Sequence, residues 1–163
     1  MTGFSADWLA LREPIDHRSR HPGLLARLAD AIGARESLRV VDLGAGTGSN
    51  LRALAPHLPP PRQTWRLVDH DPALIAAART RLMDWAEDVR EGEGGPTLVR
   101  GGHVIEIAFA QADLAGGIDG AGENGTEAPR SPDNEPVETF AALSTDFTGL
   151  LSGVRIGVGE ARE

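Results

Sequence analysis

Apolar positions recur at helical spacing twice before residue 33, in Trp8-Leu9-Ala10-Leu11 and across residues 24–32, with Gly33 as the stop signal of the second helix. The period then changes. Leu38-Arg39-Val40-Val41-Asp42-Leu43 is a short β-branched, apolar run, the pattern of a parallel strand buried on both faces. Three alternate glycines follow, and Leu51-Arg52-Ala53-Leu54-Ala55 predicts a short helix ending near Pro56. Residues 64–68 predict a second strand that closes on Asp69, and Asp71 with Pro72 supplies the N-cap and first position of the next helix. Residues 104–110 are dense in strand formers and run into Gln111-Ala112-Asp113-Leu114. Thr97-Leu98-Val99-Arg100 is joined to that third strand through Gly101-Gly102, a tight hairpin turn decorating the sheet.

The chemistry concentrates where strands end. Gly44, Gly46 and Gly48 lack Cβ, so the chain can take positive φ and a ligand can approach the backbone. The turn leads into a helix start, whose free amides face whatever sits over the glycines. Asp42, near the end of a buried strand, is costly unless hydrogen-bonded, so it either accepts local amides or serves a ligand. Asp69 lies 25 residues after Gly44, a spacing that fits a β-α-β unit. At the carboxyl end of its strand it faces the ligand crevice, where a carboxylate can accept both hydroxyls of a ribose. It could also cap a turn beside Asp71.

Two cofactor classes use such a turn. The dinucleotide fingerprint is G-x-G-x-x-G. Here Asp42-Leu43-Gly44-Ala45-Gly46-Thr47-Gly48-Ser49-Asn50 gives an acid followed by G-x-G-x-G, with the third glycine one residue early. This resembles the class I S-adenosylmethionine-dependent methyltransferases. The resemblance implies a Rossmann-like α/β fold with a mostly parallel sheet, and S-adenosylmethionine as cofactor. It implies that Asp42, Gly44, Ala45, Gly46, Thr47, Gly48 and Asn50 form the turn at the methionine end. It further implies Asp69 on the ribose, His70 against the adenine, Asp113 at the adenine amino group and Leu114 on the ring. Leading helices, here 5–33, often cross the cofactor edge in that family. His17, Arg18, Arg20 and His21 could face a substrate there, although such residues more often form a solvated helix face.

The resemblance covers residues 5–115, with leading helices followed by a cofactor core over 38–115. The fourth strand of that family, which faces the methyl group, has no counterpart in the expected place, so no catalytic residue is named and the sheet is expected to be incomplete. Residues 116–136 hold eight Gly or Pro in 21 positions, and the whole of 116–163 is expected as a low-complexity, disordered tail. Within it, residues 137–143 could form a short helix and residues 153–159 a short strand. A half-sheet would leave an open edge and invite self-association. Truncation, a frame change near residue 116 and a noncatalytic relative completed by a partner all fit this pattern.

Composition bounds the remaining classes. The 163 residues allow one domain, here 1–115 plus the tail. There is no cysteine, which removes disulfides and thiolate metal sites, and the five histidines show no metal-ligand spacing. All sixteen basic residues are arginine, and the net charge of −8 leaves no basic footprint for duplex nucleic acid. The first residues lack a secretion signal and no run reaches membrane-spanning length, so a cytoplasmic location is expected. The expected activity is methyl transfer to an unidentified acceptor, a small molecule being favoured. The rivals are a noncatalytic cofactor-binding subunit and, behind it, an NAD(P)-dependent oxidoreductase.

Overall fold

In the computed structural model, which describes residues 4–113, 139–144 and 155–158, two helices precede the sheet: α1 (Ala6–Ser19) and α2 (Pro22–Ile32). Ser5 caps α1 by accepting from the Trp8 amide, and Gly33 closes α2 at φ 65°. α1 runs further than its apolar repeat, through Pro14, because its second half is held from outside by polar contacts described below.

Strand β1 (Ser37–Leu43) passes through the glycine turn into α3 (Ser49–Leu54) and a 3₁₀ turn at Ala55–His57. Next come β2 (Arg62–Asp69), α4 (Pro72–Trp85), β3 (Asp88–Gly92), β4 (Gly95–Arg100) and β5 (His103–Gln111). Two further strands, β6 (Thr139–Ser144) and β7 (Arg155–Val158), complete one sheet in the order β3-β4-β5-β2-β1-β6-β7. β5, β2, β1 and β6 are mutually parallel, and antiparallel strands flank them at both ends. The chain is therefore α/β with an open, mixed, mostly parallel sheet.

The hairpin expected at Gly101-Gly102 is present. Arg100 pairs with His103, and the two glycines sit at φ 56° and 82°, the two positive values that a two-residue turn between twisted strands requires. The antiparallel β3 beyond it was not signalled by the pattern. It is five residues long with Asp88, Arg90 and Glu91 exposed, so the edge of β5 is covered and the new edge is short and charged, which disfavours pairing with another chain.

Two expectations are corrected. Residues 137–143 were expected as a short helix, but Thr139–Ser144 is a strand lying parallel to β1, with Arg39 opposite Phe140 and Leu43 opposite Ser144. The sheet thus continues on the side of β1 that the sequence reading left empty, and the short strand expected at 153–159 is found as β7. The other positions of the expected tail lie outside the described residues. The second correction concerns β1, which is not evenly buried on both faces: Leu38, Val40 and Asp42 are fully buried while the alternate positions are half-buried.

One core unites the elements. Leu38 and Val40 of β1, Trp65 and Leu67 of β2, Ile105 and Ile107 of β5, Leu51 and Leu54 of α3 and Leu82 of α4 belong to a single cluster. Trp65 is completely buried and donates its indole N–H to Gln63 Oε1 at 2.9 Å. Gln63 is itself satisfied by the carbonyls of Ala55 (2.9 Å) and Pro60 (3.2 Å). A buried polar pair so fully bonded fixes the 3₁₀ turn onto the sheet. Among the described residues no helix is long and apolar enough to cross a membrane.

Candidate functional site

The parallel register brings three separated segments to one end of the sheet. Leu43 lies opposite Val68, so Gly44 follows beside Asp69, and Asp69 lies opposite Gln111. Backbone bonds lock the alignment: the amides of Gly44 and Ala45 both donate to the Val68 carbonyl, at 2.9 and 3.0 Å, and Ala112 donates to that of Asp69 at 3.0 Å. The carboxyl ends of β1, β2 and β5 therefore present the glycine turn, Asp69-His70 and Gln111-Ala112-Asp113 side by side.

Gly44, Gly46 and Gly48 all have positive φ, at 71°, 54° and 78°. Gly48 is in addition the left-handed N-cap of α3, and a Cβ there would stand 3.0 Å from Leu82 Cδ1. Gly48→Ala is expected to lower stability by about 2 kcal/mol, from left-handed backbone strain with a contribution from displacing Leu82. Urea unfolding checks this, and a loss below about 0.5 kcal/mol would contradict the left-handed turn. A Cβ on Gly44 would meet open space, whereas one on Gly46 would meet Leu9 Cδ1 of α1 at 3.3 Å. The leading helix thus packs against the middle of the turn and leaves its first glycine accessible. Ala45 and Thr47 are buried within the turn.

Asp69 is only 4% exposed. Its Oδ2 accepts the Gly46 amide at 2.8 Å and its Oδ1 accepts the Asp71 amide at 3.0 Å, with His70 Nδ1 3.3 Å from the same oxygen. Of the two alternatives, the structure shows the capping one: the carboxylate accepts local backbone amides. A carboxylate offers about four acceptor directions, so beyond these three contacts one remains, on Oδ2, for a ligand hydroxyl. His70 leaves the sheet with its side chain 68% exposed, and Gln111 Nε2 donates to its carbonyl at 3.2 Å. Asp113 is exposed at the end of the third segment, and Leu114 lies outside the described residues.

Asp42 is placed differently from the edge residues. It is completely buried beneath the turn, and its Oδ1 accepts from Asn50 Nδ2 at 3.0 Å. Asn50 Oδ1 in turn accepts from Arg20 Nη2 at 2.6 Å. A side chain set between an arginine and a carboxylate must accept from the first and donate to the second, and the Asn50 amide does both. Burial pushes the Asp42 carboxyl up to about 7, against the opposing pull of the Asn50 hydrogen bond and Arg20, with Asp69 adding to the rise. Burial also lowers Arg20, while Asp42 and Asp16 oppose the change.

A second polar contact ties α1 to the same turn. Arg52 grips Glu13 through two bonds of 2.7 and 2.6 Å and also donates to the Thr47 carbonyl at 2.7 Å. Burial alone would raise the Glu13 carboxyl, but the hydrogen bond and charge of Arg52, joined by His17 and Arg81, hold it below its usual value. His17 Nε2 lies 2.9 Å from Ser49 Oγ and 3.2 Å from the Ser49 carbonyl; the carbonyl can only accept, so the proton sits on Nε2. The solvated-face reading is thus corrected for His17 and Arg20, which hold α1 on α3, whereas Arg18 and His21 are exposed. The signal was present as Glu13, His17 and Arg20 at i, i+4 and i+7 on one helix face.

No protein-family model matches this chain, and comparison with curated proteins and with solved structures finds no match to it.

Proposed function

We propose that this chain binds S-adenosylmethionine in a Rossmann-like arrangement across the carboxyl ends of β1, β2 and β5, and acts as a methyltransferase on a small-molecule acceptor. The observation that carries the reading is the convergence of Gly44, Asp69-His70 and Gln111-Ala112-Asp113 on one edge of three adjacent parallel strands. The parallel strands run β5-β2-β1-β6, so the chain order reverses beside β1, the place where open α/β sheets hold ligands. The residues fit the group: space above Gly44 is open, Asp69 retains an acceptor direction on Oδ2 for a ribose hydroxyl, and His70 is exposed to lie against a base.

When bound, the cofactor would supply a sulfonium methyl for in-line transfer to a nucleophile. The chain's part is to bind and orient. Asp69 fixes the ribose, the turn from Gly44 to Gly48 carries the methionine end, and Asp113 meets the adenine edge. Asp42 is too deeply buried to touch a ligand directly and acts through Asn50, setting the turn and the leading helix. The third glycine, one residue early for a dinucleotide turn, argues against the nicotinamide rival.

The test is calorimetric titration with S-adenosylhomocysteine beside NADH, on the natural chain and on Asp69→Ala. Saturable binding of the first ligand alone, weakened at least tenfold by the substitution, is the expected result. Failure of a folded chain to bind it would end the proposal. Methyl transfer to a panel of small acceptors then separates an enzyme from a noncatalytic binding subunit.

A further inference from the structure

On the far side of the Arg20–Asn50 contact, the end of α1, the start of α2 and α3 with its 3₁₀ turn enclose a cleft of about 370 Å³. This lies within the range of small-molecule sites, about 300–1,000 Å³. Three arginines and three histidines line it: Arg18, Arg20, Arg52, His17, His21 and His57. No carboxylate is among its lining residues. On a chain with a net charge of −8, such a cationic hollow is the reverse of what composition provides.

The charges facing the cleft do not cancel. Arg52 is neutralised by Glu13. Arg20 bonds the uncharged amide of Asn50, its Nε is buried without an acceptor among the described residues, and the nearby Asp42, at about 7, is only partly ionised near neutral pH. Asp16 is engaged by Arg12 at 3.0 Å. Arg18 adds a second guanidinium from an exposed position. His21 Nδ1 accepts the Gly23 amide at 3.1 Å, which leaves its proton on Nε2 as a further donor. Arg18 and Arg20, neither in an ion pair among the described residues, and the His21 Nε2 donor suit an anion, and planar guanidinium forks match phosphate oxygens. Pro22, Leu25 and Ala53 form an apolar wall next to the cations.

We propose that this cleft binds a phosphate group, carried free or on a small organic molecule. The site is separate from the sheet edge, so the inference stands whether or not the cofactor reading does. Inorganic phosphate and phenyl phosphate are titrated into the full chain, by calorimetry and by amide chemical shifts, in a phosphate-free buffer. One saturable site is expected, and the Arg18→Gln/His57→Gln double variant is expected to weaken it at least tenfold. Both positions are exposed, and unchanged circular dichroism verifies that the variant folds. Tighter binding of phenyl phosphate would assign the group to an ester seated on the Pro22, Leu25 and Ala53 wall; equal binding would assign it to the free ion. Asp69→Ala should leave phosphate binding intact while weakening S-adenosylhomocysteine binding at least tenfold, so the two proposals fail separately. Absence of saturable binding, or affinity unchanged in the double variant, would overturn the inference.

Discussion

Asn50→Leu is expected to cost about 2–3 kcal/mol of stability at pH 8, more than an exposed helical asparagine could. Leucine keeps the branched shape and approximate volume, so the loss reports hydrogen bonds rather than a cavity. Asp42 Oδ2 already has no partner among the described residues, and Oδ1 would lose its donor from Asn50. A fully buried carboxylate would then face its desolvation alone. Arg20 Nη2 would lose its acceptor too, but Arg20 is less deeply buried and can turn toward water. The cost should shrink to about 1–2 kcal/mol at pH 5, where the carboxyl is protonated in the folded state and only a neutral group is left unpaired. Urea unfolding at the two pH values checks both figures. A loss below about 1 kcal/mol at pH 8 would mean that the amide bridge does not carry Asp42.

That bridge also explains which parts of this fold were legible from the sequence. The strand, glycine turn, second strand and hairpin followed from local rules: β-branched runs, Asp71-Pro72 at a helix start and paired glycines between strands. The sheet edge was legible for the same reason, since strands that end in Asp69 and Gln111-Ala112-Asp113 meet once the strands are parallel. The attachment of α1 was not. It depends on Glu13 reaching Arg52 and His17 reaching Ser49, contacts spanning more than thirty positions that no local period encodes. Pro14 further masked the helix that makes them possible. β6 escaped for a different reason: Thr139-Phe140-Ala141-Ala142-Leu143-Ser144 has an alanine pair that suits a helix, and its place beside β1 decides otherwise.

The two polar bridges make α1 and the glycine turn one mechanical unit. Leu9 lies over Gly46, Arg52 joins Glu13 to the Thr47 carbonyl, and Asn50 joins Arg20 to Asp42. A shift of the turn would strain these contacts to the helix, and Arg20 carries any change in the cleft to Asn50 through a single hydrogen bond. Asn50 stands between the two proposed sites, so if both bind ligands, any change that one makes in the affinity of the other is matched by an equal change in return.

Asp42 should give the chain an unusual pH profile, with stability falling as the solution becomes less acidic. Its carboxyl is raised in the folded state from 3.8 to about 7, first by burial. Between those values the folded state holds a proton that the unfolded state has released, so unfolding is favoured progressively as pH rises. The contribution is fully present below 3.8, is lost as pH climbs through the folded value, and is flat above it. At about 1.4 kcal/mol per pH unit, roughly 3 kcal/mol should disappear between pH 5 and pH 8. Glu13 acts in the opposite sense, because its lowered carboxyl contributes above the unfolded value and is lost only on acidification below it. The Asp42 slope is therefore cleanest from pH 5 upward. Asp42→Asn isolates the carboxyl, since asparagine can still accept the Asn50 amide and has no proton to lose. Urea midpoints at pH 5, 6, 7 and 8 should fall steeply in the natural chain and much less in the variant. A natural chain whose stability is flat across that range, or a slope of equal size in Asp42→Asn, would mean that the carboxyl under the glycine turn is ionised in the folded state throughout.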